Sequence, residues 1–283
     1  MSAAAAPGIP NPVEAALALR AAGRLQDALN ALGTASEDTS DVYTLRGEIQ
    51  FALGRVHEAA GSYFTVVASE PENVLAQFNV GVCMQQLSRW SDAALAFQRV
   101  LDMDPDRDEA RLGLGACLLQ LNRPEEALAT FDACWSDAVR RRADFGKAVA
   151  LQFLRRFDES EAAYREMLQS GQQTEDVLTN LVALSAEIHD WDAVQHYASR
   201  LLEISPHSVP AMQGLAAVAL ERGEFAAAVQ HCGRIVELAP ECMEALHNLR
   251  FATGQVMAAI QKRAASQPAT KTKNSRTASR PPH

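Results

Sequence analysis

Apolar residues recur at helical spacing along most of the chain, in pairs of short segments. Between residues 75 and 87, Phe78 and Val82 fall on one face of a predicted helix, and Val80 and Met84 fall on another. A second apolar segment follows over residues 91–103. A surface helix needs only one apolar stripe, so a helix with two should be covered on both sides. The pattern predicts helix pairs in which the first helix lies between its partner and a groove.

These helix pairs repeat with a period of 34 residues. Gly81 and Phe97 recur 34 residues later as Gly115 and Phe131. Four copies end in a proline, spaced by 34, 101 and 34 residues: Pro71, Pro105, Pro206 and Pro240. Because 101 is close to three periods, the middle interval should hold copies whose closing proline has been replaced.

The residues between the helices are suited to turns. Gly23, Gly54 and Gly223 follow a first helix, where a left-handed residue satisfies free carbonyl groups, and Asn122 is the next-best residue there. The closing prolines lack an N–H group and disfavour helix in the residue before them. Each is therefore expected to end a second helix.

This frame resembles the tetratricopeptide repeat, whose pattern has Gly or Ala at the eighth position, Ala at the twentieth, an aromatic residue at the twenty-fourth and Pro at the thirty-second. The resemblance covers residues 12–240 in about seven copies. It implies an all-α fold, a right-handed α-solenoid of about seven helix-turn-helix repeats with a C-terminal capping helix. The end of such a stack needs a cap, because its last unit would otherwise expose an apolar face.

The chain is accordingly divided into four segments. We expect a flexible N-terminus over residues 1–11, the repeat array over 12–242, the capping helix over 243–263 and a disordered basic tail over 264–283. The tail is rich in Ser, Pro, Thr, Lys and Arg and has no apolar periodicity.

Charge and composition exclude several functions. The net charge is −9, but residues 262–283 hold six Lys or Arg and no acid, which leaves −15 for the rest. An acidic body repels phosphate backbones, so no nucleic-acid partner is expected. No apolar run is long enough to insert into a membrane, and the N-terminus does not have the features of a signal peptide. Five cysteines without a C-x-x-C pair are typical of a reducing compartment, which favours a cytoplasmic location.

No pattern for catalysis, a cofactor or a metal survives inspection. The run of aspartates from Asp102 to Asp108 alternates like a calcium loop, but Arg107 stands where glycine is needed and Gly113 where glutamate is needed. His231 and Cys232 are adjacent in a helix and point in different directions. We therefore expect no enzyme activity, no cofactor and no metal site.

A binding groove is the remaining candidate site. The resemblance implies that fixed positions of each first helix line a concave surface, and in the third to fifth copies these positions are mainly apolar. Asn79 and Asn180 would add polar groups that could hold a peptide backbone. The expected groove residues are Leu75, Phe78, Asn79, Val82, Leu112, Leu119, Phe145, Val149, Phe153 and Asn180. Tight winding of the repeats could instead bury these side chains against neighbouring repeats.

The function that follows is a scaffold or adaptor that binds a peptide or helix of a partner protein in this groove. A self-assembling structural protein, with another copy as the partner, is the alternative. A third reading is an accessory module of an enzyme complex, whose catalytic residues would come from another domain.

Overall fold

The computed structural model describes residues 11–34, 39–171 and 175–266. All regular secondary structure in these residues is helical. Cα packing divides the chain into two compact units, Met1–Gln169 and Ser170–His283. Residues 1–10 of the expected flexible N-terminus and residues 267–283 of the expected tail lie outside the described residues.

In the described part of the first unit, ten helices follow one another and each packs on the next along the chain. Alternate helices also meet, so that α5 and α9 both contact α7. The helices are α1 (Pro12–Ala21), α2 (Leu25–Leu32), α3 (Ser40–Ala52), α4 (Val56–Ser69), α5 (Val74–Gln86), α6 (Trp90–Met103), α7 (Asp108–Gln120), α8 (Pro124–Asp132), α9 (Asp137–Phe153) and α10 (Phe157–Gln169).

Aromatic rings clamped between glycines form the centre of this unit. Phe97 is 1% exposed, and a Cβ added at Gly81 or at Gly113 would lie only 2.7 Å from its ring atoms. Phe131 lies in the same way between Gly115 and Gly146. A fully buried Phe side chain contributes about 2–3 kcal/mol to folding, and close approach of the helices on both sides requires glycine. The small and aromatic positions of the repeat therefore form one packing unit.

Helix ends follow the sequence where the chain offers a side-chain cap or a proline. Asn73 and Ser136 accept hydrogen bonds from the first-turn N–H groups of α5 and α9. Several second helices instead begin after an arginine that pairs with an acid three residues on, as Arg89 does with Asp92 at 2.6 Å. The helices α4 and α6 end two residues before Pro71 and Pro105, as the sequence predicts.

More of the turns between paired helices contain a residue in the left-handed conformation than the glycines in the sequence indicate. Gly23, Gly54, Gly223 and Asn122 have φ between 56° and 74°, which confirms the expected turns. Three non-glycine residues adopt the same conformation at equivalent turns: Ser88, Arg155 and His189. Packing of the two helices imposes this conformation even where the residue disfavours it.

The pair α7–α8 departs from the repeat. The second helix α8 has only 9 residues, against 14 in α4 and α6, and α9 has 17. The Asp108 carboxylate, 2% exposed, accepts hydrogen bonds from the N–H groups of Trp135 at 2.9 Å and Ser136 at 2.6 Å, and it pairs with Arg111. This buried carboxylate fixes the turn between α8 and α9 where the closing proline is missing.

The second unit contains α11 (Glu175–Glu187), α12 (Trp191–Ile204), α13 (Val209–Glu221), α14 (Phe225–Leu238) and α15 (Met243–Ser266). A Cβ added at Gly214 of α13 would lie 2.8 Å from Val182, so small and branched residues replace the aromatic clamp here. Helix α15 packs on α14 through Ala245 and Ala252. It continues to Ser266, three residues into the segment expected to be disordered from residue 264.

Candidate peptide-binding groove

A groove opens in the first unit where α5, α7 and α9 lie side by side. Its volume is about 590 Å³, within the range of about 300–1,000 Å³ that is usual for ligand pockets. Small residues at the floor, Gly113, Ala116 and Gly146, leave this space open. Its lining also includes Phe78, Val82, Gln85, Phe97, Glu109, Leu112, Leu119, Gln120, Phe131, Arg142, Phe145 and Val149.

The floor and walls of the groove belong to the packed centre of the unit. Phe97 and Phe131, clamped between glycines, reach the groove from below. The Phe78 ring packs on Phe97 with 5.6 Å between ring centres, and the Phe145 ring packs edge-on against Tyr164 at 6.0 Å. Aromatic contacts with the buried Phe97 and Tyr164 therefore support the walls of the groove.

Six of the ten groove residues expected from the sequence line this groove, and none of the other four does. The six are Phe78, Val82, Leu112, Leu119, Phe145 and Val149. Five of them are partly buried and Leu112 is 7% exposed, so neighbouring repeats cover much of these side chains and leave part of five of them accessible.

The other four residues lie elsewhere. Leu75 and Phe153, at the ends of α5 and α9, are 46% and 55% exposed and lie outside the groove lining. Asn79 is half-buried on α5 and is also outside the lining. Asn180 belongs to α11 in the second unit.

Charged groups lie along one edge of the groove. Glu109 and Arg142 line it from α7 and α9, and both are exposed. The Arg107 guanidinium carbon lies 5.4 Å from the centre of the Phe78 ring, in a cation–π contact. This contact between Arg107 and Phe78 was not expected from the sequence, in which Arg107 was considered only as a residue that does not fit a calcium loop.

Cysteines near the groove are packing residues. Burial raises the pKa of Cys83 on α5 and of Cys117 on α7 to about 11. Both thiols are fully buried and stay protonated at neutral pH, so they are poor nucleophiles and poor metal ligands.

Two further properties concern the described residues only. No three His, Cys, Asp or Glu side chains in this part of the chain are grouped so as to hold a metal ion. Among the described helices, none combines the length and apolar character needed to span a bilayer.

Comparison with known proteins identifies the repeat. A family model described as tetratricopeptide repeat matches residues 84–151, and a second model of the same description matches residues 13–68. The chain carries tetratricopeptide repeats, and the all-α solenoid fold class predicted from the sequence is confirmed. The number of repeats stays a prediction. No curated protein matches the sequence.

Solved structures show the same fold at low identity. A tetratricopeptide repeat protein from Parabacteroides merdae ATCC 43184 is 17% identical, with a TM-score of 0.68 over 86% of this chain and 97% of that one. PilW, a type IV pilus biogenesis factor, is 19% identical, with a TM-score of 0.66 over 77% of this chain and 100% of its own. One chain of the APC/C hetero-tetramer Cut9–Hcn1 is 15% identical to this protein, with a TM-score of 0.64 over 86% of this chain and 48% of that chain.

Proposed function

We propose that this protein is a non-enzymatic scaffold that binds an extended or helical segment of a partner protein in the groove between α5, α7 and α9. The observation that carries the proposal is the set of six apolar side chains that line one groove, five of which are only partly buried. A concave, mainly apolar cavity with a few polar side chains at its wall is the usual form of a ligand or peptide site. A cytoplasmic location remains a prediction from the sequence.

The arrangement suits a peptide better than a small polar ligand. Apolar side chains from three successive first helices offer separate contact points along the groove, which match side chains spaced along a helix or strand. Aromatic residues such as Phe78 and Phe145 are frequent anchors of protein interfaces. The Cut9–Hcn1 structure is described as a hetero-tetramer, so a protein of similar fold occurs in an assembly with another protein.

The sharpest test fills the groove and leaves its aromatic walls in place. Ala116 is half-buried and lines the groove, so Ala116→Gln would project a longer side chain into the space a partner needs. We expect affinity capture from the native cell extract to recover at least tenfold less partner with this variant, a loss of about 1.4 kcal/mol or more.

The matched control is Ala129→Gln, an exposed position on α8 outside the groove lining. It should capture partners as the unmodified protein does, and circular dichroism should show both variants folded. If a folded Ala116→Gln variant still recovers its partners in full, the groove is not the binding site.

Self-assembly is a second candidate, favoured by the last helix. On α15, Phe251, Met257 and Ile260 are 50%, 52% and 54% exposed. A second copy could cover this apolar surface. Sedimentation should then show a dimer or larger species that Met257→Glu dissociates, whereas a monomer at all concentrations would exclude this candidate.

A further inference from the structure

The last helix, α15, has an exposed outer face. The helix packs on α14 through Ala245 and Ala252. With about 3.6 residues per turn, Gly254 lies on the opposite side of the helix. Phe251 and Met257, one turn to either side of it, are exposed. A Cβ added at Gly254 would meet no atom within 4 Å, so the centre of this face is open.

Opposite charges lie near the two ends of the outer face. Glu244 in the first turn of α15 and Lys262 near its end are both exposed. Within the residues that the structure describes, neither has an ion-pair partner. They lie about 27 Å apart along the helix axis and on the same side of it, so they cannot pair with each other. Their arrangement matches a second α15 that runs in the opposite direction.

The sequence after α15 does not supply a cover for this face. Residues 267–283 contain no Leu, Ile, Val, Met, Phe, Tyr or Trp. A segment that covers an apolar helix face must present large apolar side chains of its own. A second copy of α15 presents both these side chains and the complementary charges.

We propose that two copies of the chain pair through this face, with their α15 helices antiparallel and the two Gly254 residues at the two-fold axis. Each Phe251 lies against Ala258 of the second copy, since the first precedes Gly254 by three residues and the second follows it by four. Each Glu244 faces Lys262 of the second copy, within about 3 Å along the axis. The contact is isologous, as in most homodimers. The proposal rests on the self-assembly candidate of the proposed function and gives it a geometry.

The side chains at this contact favour the antiparallel arrangement over a parallel one. Gly254 and Ala258 leave room for the Phe251 ring and let the two helices approach closely. A parallel pair would instead place Glu244 against Glu244 and Lys262 against Lys262, and such like-charge contacts oppose association. Ion pairs between exposed side chains contribute little to affinity, but they select the direction of pairing.

Cysteine cross-linking of the full-length protein tests the two-fold axis. Gly254→Cys should form an intermolecular disulfide under mild oxidation, because its two Cα atoms lie within the bridging limit of about 7 Å. The matched control is Ala258→Cys, whose two copies are about 12 Å apart along the axis of an antiparallel pair. Non-reducing electrophoresis should show at least tenfold more cross-linked dimer for Gly254→Cys. The unmodified protein gives the background from its own cysteines.

Exchange of charges tests the pairing of the helix ends. In sedimentation, Glu244→Lys and Lys262→Glu should each raise the dissociation constant of the dimer at least fivefold. The double variant should return it to within twofold of the unmodified protein, because each pair is restored with its signs reversed. The control is Glu237→Lys on α14, which changes another exposed acid of the same unit and should have less than a twofold effect. Circular dichroism checks that all variants are folded.

The failures of the two proposals are distinguishable. A dimer that Met257→Glu dissociates, but that Gly254→Cys does not cross-link or Ala258→Cys cross-links equally well, would overturn the antiparallel arrangement and leave self-assembly standing. A double charge variant that stays as weak as the single variants would overturn it too. A monomer at all concentrations would overturn both self-assembly and this arrangement. None of these results bears on the groove, which the Ala116→Gln variant tests by capture.

Discussion

The buried Asp108 carboxylate offers the strongest test of how the irregular α7–α8 pair is held together. It accepts two backbone hydrogen bonds, from Trp135 and Ser136, and pairs with Arg111, which is itself only 17% exposed. Asp108→Ala would leave two N–H groups and a largely buried guanidinium without their partner. Removing one member of a buried pair costs about 3–5 kcal/mol, so we expect a loss of that size.

Asp108→Asn separates the charge of this group from its hydrogen bonds. The amide oxygen can still accept from the backbone but no longer pairs as an anion with Arg111, so the loss should be smaller than that of Asp108→Ala by about 1–2 kcal/mol, the contribution of the two hydrogen bonds that are kept. Urea unfolding measures both losses, and hydrogen exchange should become faster at the amides of Trp135 and Ser136. The control is Asp106→Asn, which alters an exposed carboxylate nearby and should change stability by less than about 0.5 kcal/mol.

The stabilisation that Asp108 provides should decrease at low pH and should not change above neutral pH. Burial raises the pKa of Asp108, but hydrogen bonds from Ser136 and Trp135 and the pairing with Arg111 outweigh it, and the net pKa lies below the ordinary value of 3.8. The ionised group therefore stabilises the fold fully above that value and loses its effect as the pH falls through the lowered pKa. The difference between the unmodified protein and Asp108→Asn should shrink only below about pH 4. Equal stability of Asp108→Ala and the unmodified protein at pH 7 would refute the whole account.

Two glycine-to-alanine substitutions should change the free energy of unfolding in opposite directions. Gly115→Ala would place a Cβ 2.6 Å from the Phe131 ring, which Gly146 holds from the other side, so overpacking should cost about 1–3 kcal/mol in urea unfolding. Gly61→Ala, on α4 with no atom within 4 Å of the added Cβ, should instead stabilise by up to about 1 kcal/mol through helix propensity; the same sign for both would contradict the assigned packing.

Regular parts of the fold could be predicted because the same residue types meet in each repeat. Gly81 and Phe97 recur at a fixed distance along the chain, and in the structure they touch. Left-handed turns were predictable where glycine or asparagine occupies them. At Ser88 and Arg155 no such residue marks the turn, because the packing of the flanking helices, and not the local sequence, imposes the conformation.

The irregular parts were not predictable because their cause is not periodic. In the sequence Asp108 is only the last member of an alternating run of aspartates, and the fold alone brings it to Trp135, 27 residues further along the chain. The groove residues were predicted from fixed positions on the first helix of each repeat, and six of the ten line the groove in the structure. Leu75 and Phe153 lie at helix ends, outside the lining, and a pattern of positions does not show where a cavity ends.

The packing that stabilises the first unit also shapes its groove, and this decides how the groove can be tested. Phe97 and Phe131 are clamped between glycines, and the same rings form part of the groove lining. Truncating them would open cavities, at a cost of about 3–5 kcal/mol each, so a loss of binding would not distinguish a site from a collapsed fold. Ala116 and Arg142 can be changed without removing a buried ring. Variants at these two positions therefore report on binding, whereas the aromatic residues report first on stability.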